Sequence, residues 1–208
     1  MKRYFVTGIG TGIGKTIVSA MLAEVLGADY WKPVQAGNID TDSDFVRKVI
    51  SNKHSVVHPE LYSLQMPASP HIAARNEGLH IDMGYIKENL PKTSNTLIIE
   101  GAGGLMVPLN DSEFVSDLIA ALDATVILVS RNYLGSINHS LMTAMICRQK
   151  NLAVAGWIFN DQYLQYEDEI VAWSGYGKLA SVPSLAEADP AALRSMSGKL
   201  RSQLNKAL

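Results

Sequence analysis

Short apolar runs alternate with stretches of helical periodicity along the whole chain. Tyr4-Phe5-Val6, Tyr30 to Val34, Thr96 to Ile99, residues 125–129, Ala153 to Phe159 and Lys178 to Val182 read as strands. Between them lie helix-like segments: Ile17 to Leu26, Asp44 to Ile50, residues 82–90, 114–122, 136–149 and 166–173, and a tail from Pro190. Several strand runs are apolar at successive positions, as a sheet covered on both faces requires. Strands alternating with helices predict an α/β fold, a parallel sheet flanked by helices on both faces. Residues 52–80 interrupt the alternation: Pro59, Pro67 and Pro70 suggest an irregular excursion over the surface. With no repeat, low-complexity segment or linker, residues 1–208 read as a single domain.

Composition narrows the class without naming the chemistry. At 208 residues, 47% hydrophobic and 18% charged, the chain suits a soluble domain with a substantial core. A formal net charge of −2 gives no basic excess, so no general affinity for nucleic acid is expected. Cys147 is the single cysteine, which excludes an internal disulfide and fits a reducing compartment. No apolar stretch is long enough for a signal peptide or a membrane span, so a cytoplasmic enzyme is the expectation.

The candidate chemistry starts at the first strand. After Val6-Thr7, glycines at 8, 10, 12 and 14 lead into Lys15-Thr16 and a helix. Glycines let backbone N–H groups turn toward a phosphate, and a helix N-terminus adds partial positive charge. Lys15 can reach the β- and γ-phosphates, and the Thr16 hydroxyl can ligate Mg²⁺. The usual spacing is broken: Ile9 stands where the motif wants its first glycine, and Gly8 comes one residue early. Glu100 follows a buried-strand run and precedes Gly101-Ala102-Gly103-Gly104, a position suited to a Mg²⁺-holding carboxylate or to a plain turn cap. Asp42 and Asp44 precede a helix, where either is a simple N-cap or a functional carboxylate. Lys32, at a strand end, is an ordinary half-exposed lysine or a cation facing a transferring phosphoryl group. Asn160-Asp161 is a turn former or an adenine-recognising amide. His71 and His139 lack metal-ligand spacing, and no Gly-x-Ser-x-Gly sequence is present.

Taken together, these segments resemble the dethiobiotin synthetase family over nearly the whole chain. The loop from Val6 to Thr16 is similar to that family's phosphate loop, with its longer spacing. Lys32-Pro33-Val34 resembles its catalytic lysine segment, and Ser43-Asp44 the Ser-Asp opening its next helix. Glu100 to Gly104, followed by Val107-Pro108-Leu109, resembles its most specific signature. Leu134 to His139, Ala155-Gly156-Trp157, Asn160-Asp161, and Val182-Pro183 to Glu187 resemble its remaining motifs, and Ser69-Pro70-His71 a substrate-side segment.

The resemblance implies a P-loop NTPase-like three-layer α/β/α fold and an ATP- and Mg²⁺-dependent cyclo-ligase of biotin synthesis. One amine of 7,8-diaminononanoate would take up CO₂ as a carbamate, which attacks the γ-phosphate to give a carbamic–phosphoric anhydride. The second amine then closes the ring and expels phosphate. Lys15 and Lys32 would be catalytic. ATP contacts are expected from Gly12, Ile13, Gly14, Lys15, Thr16, Ile17, Asp44, Glu100, Gly101, Ala102 and Gly103. The nucleoside side adds Asn160, Asp161, Pro183, Leu185 and Glu187. Mg²⁺ is expected on Thr16, Asp44 and Glu100. The family works as a homodimer: substrate contacts are implied for Thr11, Lys32 and Ala36, with Gly135, Ser136 and Asn138 reaching substrate held mainly by the other subunit.

Two positions depart from the pattern. Ala36 stands where the family often has a hydroxyl residue, with Gln35 as a possible substitute, and Gly12 replaces an acidic residue found in some members. Other readings stay open at this point. A partitioning-type ATPase would carry an extra lysine where this loop has Gly10; an amidotransferase-type synthase would add a glutamine-hydrolysing domain; a non-catalytic nucleotide module would not need so many placed charges.

Overall fold

The structure, a computed structural model, describes residues 1–161, 164–183 and 190–207. In chain order its elements are β1 (Arg3–Gly8), α1 (Lys15–Leu26), β2 (Asp29–Trp31), β3 (Val34–Ala36), α2 (Asp42–Val49), β4 (Tyr62–Leu64), α3 (Pro70–Asn76) and α4 (Met83–Glu88). They continue with β5 (Leu97–Glu100), α5 (Val115–Ala121), β6 (Thr125–Arg131), α6 (Ser136–Gln149), β7 (Val154–Asn160), α7 (Glu167–Ser174), β8 (Lys178–Val182) and α8 (Pro190–Ala207).

Six strands form one sheet in the order β2-β5-β1-β6-β7-β8, every pair parallel. The chain leaves β1 for α1 on one face of the sheet and leaves its neighbour β5 for α5 on the other. That makes the carboxyl end of β1 a topological switch point, where the loops above the sheet diverge and leave a crevice.

The apolar runs are buried on both faces, as their unbroken hydrophobicity requires. One face carries Phe5, Leu97, Ile99, Leu128, Trp157 and Phe159 against α5 and α6. The other carries Val6, Ile98, Ile127, Val129 and Ile158 against α1 and α8. Each such side chain contributes about 1.5–3 kcal/mol of burial free energy. The strands around the crevice are thereby held rigid.

Three features differ from the sequence pattern. The run from Tyr30 to Val34 is two strands: Pro33 separates β2, in the main sheet, from β3, which pairs in parallel with β4 in a second sheet. Residues 52–80 are more ordered than their prolines suggest, since they supply β4 and α3, with Leu64, Ala73 and Ala74 buried. Pro70 sits in the first turn of α3, where a missing N–H costs nothing. Finally, α2 begins at Asp42, because Thr41 rather than Asp44 caps it: the Thr41 hydroxyl accepts a hydrogen bond from Asp44 N at 3.2 Å.

Candidate active site

The glycine spacing of the phosphate loop follows from what each position touches. A Cβ on Gly8 would lie 1.9 Å from the Val129 carbonyl oxygen, because β1 runs against β6 there. Ile9 comes next and packs as a partly buried apolar residue between the two cores. It follows directly on β1, and its N–H still donates to the Val129 carbonyl of β6 at 3.2 Å. Gly14 has φ +88°, and a Cβ there would lie 2.1 Å from Asn160 Nδ2. This amide donates to the Ile13 carbonyl at 2.7 Å, tying the end of β7 to the loop. No side chain caps the start of α1, so its first backbone N–H groups are left as donors for an anion.

Around the first turn of α1 lies a cluster of charges drawn from four elements. The Thr16 hydroxyl lies 2.7 Å from Asp42 Oδ1 and 2.9 Å from Glu100 Oε1. Lys32 Nζ lies 2.5 Å from Asp42 Oδ2 and 3.3 Å from Glu100 Oε1. Glu100 is 1% exposed and Lys32 4%. Tyr30 Oη donates to Glu100 Oε2 at 2.9 Å. Lys15 Nζ donates to the Gly10 carbonyl at 2.7 Å.

The environment sets the charge states. Burial pushes the Lys32 ammonium down, but Glu100 and Asp42 together outweigh it and hold the group above the ordinary lysine range. Lys32 is therefore a fixed cation at neutral pH. Lys15 is lowered to about 8, chiefly by burial, with Lys32 adding to the effect and Glu100 and Asp42 opposing it. Burial would raise Asp42, yet Lys32 and the Thr16 hydrogen bond leave its carboxyl below the usual range. Three hard oxygens, from Thr16, Asp42 and Glu100, thus converge within hydrogen-bonding distance, a donor set that suits Mg²⁺.

Asp44 does not join this cluster. Its carboxylate is exposed, accepts from the Thr41 hydroxyl at 2.8 Å and pairs with Arg47 at 2.7 Å. At about 100° per residue, side chains two apart on a helix point roughly 200° away from each other. With α2 starting at Asp42, that residue faces the loop and Asp44 faces solvent. The geometry therefore corrects the expectation for Asp44: the aspartate brought to the loop is Asp42.

Two clefts adjoin over the phosphate loop. The larger, about 820 Å³, is lined by Thr11, Lys15, Thr16, Lys32, Ala36, Asp42, Glu100, Ala102 and Gly103, among others. The smaller, about 210 Å³, is lined by Gly12, Ile13, Gly14, Ile17, Arg131, Asn160, Asp161, Val182 and Pro183. Gly12, Gly14 and Ile17 border both.

Most of the residues expected from the sequence are therefore brought together, and several are not. Gly101 lies behind the cluster, where a Cβ would meet the Phe5 ring at 2.7 Å. Gln35 lines the larger cleft beside Ala36, and in this structure its side chain is engaged with backbone groups. Its amide donates to the Gly37 carbonyl at 2.9 Å and its Oε1 accepts from Asp42 N at 3.4 Å, so it braces the start of α2. Gly135, just before α6, and Ser136 and Asn138, in its first turn, line neither cleft, and Ser136 is buried with its hydroxyl 2.7 Å from Tyr166 Oη. Leu185 and Glu187 lie outside the described residues.

Arg131, Tyr30 and the role of Asp42 were missed. Arg131 borders the smaller cleft with its guanidinium 3.5 Å from Asp161, and its place just past a strand's apolar run was the available signal. Tyr30 gave none, since an aromatic in a strand reads as core.

The chain matches a family model described as an AAA domain over residues 2–192. It is 52% identical over 184 residues to the ATP-dependent dethiobiotin synthetase BioD of Cytophaga hutchinsonii, covering 88% of each chain. It is 43% identical to the protein of the same name from Rhodopseudomonas palustris, over 92% of this chain and 91% of that one. Among solved structures, the cell-division ATPase MinD of Pyrococcus furiosus superposes with a TM-score of 0.64 at 16% identity, with both chains fully covered. A ParA-family ATPase from Chlorobium tepidum superposes at 0.59 and 13% identity, over 100% of this chain and 97% of that one. At such identities these last two share the fold.

Proposed function

The chain belongs to the ATP-dependent dethiobiotin synthetases, cyclo-ligases of biotin biosynthesis, and from that premise we propose how its residues divide the work. The observation that carries the proposal is the meeting of Thr16, Asp42, Glu100 and Lys32 in the larger cleft, beside the loop that borders both.

The triphosphate of ATP lies along residues 12–17, held by the uncapped N–H groups of α1 and by Lys15. The base reaches the smaller cleft beside Asn160, Asp161 and Pro183. Thr16, Asp42 and Glu100 hold Mg²⁺, directly or through water. Bound there, the ion would offset charge on the β- and γ-phosphates. The diamine occupies the larger cleft near Thr11, Lys32 and Ala36.

The difficult step brings a carbamate anion to a γ-phosphate, two negative groups that repel. Lys32, kept cationic by its carboxylate neighbours, sits where it can offset that repulsion and the charge that develops during transfer. Because it stays charged at neutral pH, it orients and stabilises rather than removing protons. The carbamate oxygen then attacks the γ-phosphorus and ADP leaves. The second amine attacks the carbamoyl carbon of the resulting anhydride, and phosphate is expelled as the cyclic urea forms.

We further propose a homodimer. Gly135, Ser136 and Asn138 lie outside both clefts of their own chain, beside Leu134, Met142 and Met145, which are 88%, 54% and 60% exposed. A second copy placed over this face would cover it and present the exposed Gly135 and Asn138 to its neighbour's diamine. Light scattering on the eluted protein tests this; a monomer at assay concentration sinks it. Among the described residues no helix is long and apolar enough to cross a membrane. We propose a cytoplasmic enzyme, working as a single functional unit.

The direct test is ADP release with the diamine and bicarbonate, omitting each in turn, and mass analysis of the product. Turnover is expected to require both. Hydrolysis that ignores both would favour a nucleotide switch of the partitioning type instead.

A further inference from the structure

Glu100 has two carboxylate oxygens with separate partners. Oε1 faces the cluster, taking the Thr16 hydroxyl at 2.9 Å and Lys32 Nζ at 3.3 Å. Oε2 faces the protein and, among the described residues, takes a single side-chain partner, Tyr30 Oη, at 2.9 Å. Tyr30 is fully buried, at 0% exposure, and borders neither cleft. It reaches Glu100 because β2 runs parallel to β5 with Tyr30 opposite Ile98, so both side chains rise from one face of the sheet.

The terminal torsion of a glutamate is broad and nearly two-fold, so an unrestrained carboxylate samples many orientations. A donor on one oxygen removes that freedom. A phenol does so without adding charge, whereas a lysine or arginine in its place would neutralise the carboxylate that a cation needs. We infer that Tyr30 is a positioning residue for Glu100: its hydroxyl occupies Oε2 and fixes the carboxylate so that a single oxygen, Oε1, is presented to the nucleotide-bound cation. This rests on the reading of Glu100 as a residue that holds Mg²⁺.

The test uses the full chain, Mn²⁺ as a probe for the metal, and a non-hydrolysable ATP analogue. Free Mn²⁺ is read by electron paramagnetic resonance in the wild type, Tyr30→Phe, Glu100→Gln and the double variant. A melting curve checks that each is folded. Tyr30→Phe is expected to raise the Mn²⁺ concentration for half-saturation by about tenfold, the usual cost of losing an outer partner of a metal ligand. Binding of the analogue in excess chelator should stay unchanged. Glu100→Gln should weaken Mn²⁺ binding by itself, and adding Tyr30→Phe to it should cause no further loss.

The outcomes separate cleanly. Unchanged Mn²⁺ binding in Glu100→Gln removes the reading of Glu100, and this inference with it. A loss in Glu100→Gln but none in Tyr30→Phe overturns the role of Tyr30 alone. An equal loss from Tyr30→Phe with and without Glu100 overturns it too, because the tyrosine would then act through packing.

Discussion

Lys32 Nζ and Asp42 Oδ2 stand 2.5 Å apart, joining the end of β2 to the first residue of α2. This pair holds a carboxylate and a cation ready beside the Thr16 hydroxyl, and it separates the two aspartates of the helix into different roles.

Asp42→Asn turns one of the three donors proposed for Mg²⁺ into a neutral amide and removes the anionic partner of a buried cation. We expect kcat/KM to fall by about 10²–10³-fold and the Mg²⁺ requirement to rise. Asp44→Asn alters an exposed pair with Arg47 and an exposed hydrogen bond from the Thr41 hydroxyl, and its effect should stay within about twofold. Steady-state ADP release across a Mg²⁺ titration compares them. Equal losses in the two variants would contradict the assignment.

Lys32→Ala should abolish diamine-dependent ADP release while leaving nucleotide binding measurable by calorimetry. Lys32 lines the cleft proposed for the diamine, whereas the phosphates are proposed to rest on the loop amides and Lys15. Wild-type turnover in this variant would remove Lys32 from the mechanism.

Lys15 gives a pH dependence with a definite sign. Its ammonium is lowered to about 8 by burial, so in the protein without nucleotide it loses charge as pH rises through that value. Affinity for ATP should therefore weaken above about pH 8 and level off below it. For folding the sign is opposite. Between about pH 8 and the ordinary lysine range the unfolded chain binds the extra proton, so stability gains with rising pH there. Lys15→Met should flatten both profiles and raise stability at pH 7, on the order of 1–3 kcal/mol. Calorimetry and thermal melts from pH 6.5 to 9.5 would show whether either slope belongs to Lys15.

Gly14→Ala tests the tie between loop and sheet. A methyl there meets a left-handed backbone and the Asn160 amide at 2.1 Å, so the hydrogen bond from Asn160 to Ile13 must open. ATP binding should weaken by at least about tenfold, the scale of one disrupted buried hydrogen bond plus backbone strain. Asn160→Ala, which leaves the backbone alone, should cost less. Titration with a fluorescent nucleotide ranks the two.

Much of the fold was legible because a strand buried on both faces must be apolar without interruption, and Leu97 to Ile99 and Trp157 to Phe159 are. The phosphate loop was legible for a similar local reason: its glycines, Lys15 and Thr16 act through backbone geometry and one helix turn. Its odd spacing became clear only in three dimensions. Gly8 is a glycine because β6 passes against it, and Ile9 fills the space between two cores.

The sequence by itself determined which residue types were present at strand ends: a lysine at 32, a glutamate at 100, an amide at 160 and two aspartates near one helix start. Tertiary structure decided which of them meet. Moving the start of α2 from Asp44 to Asp42 turns one carboxylate to the loop and the other to solvent, since each residue rotates the side-chain direction by about 100°. The pairing of β2 with β5 decided that Tyr30, a core aromatic by every local sign, reaches the buried oxygen of Glu100. Such choices depend on helix phase and strand register, which are set by packing between segments far apart in the chain.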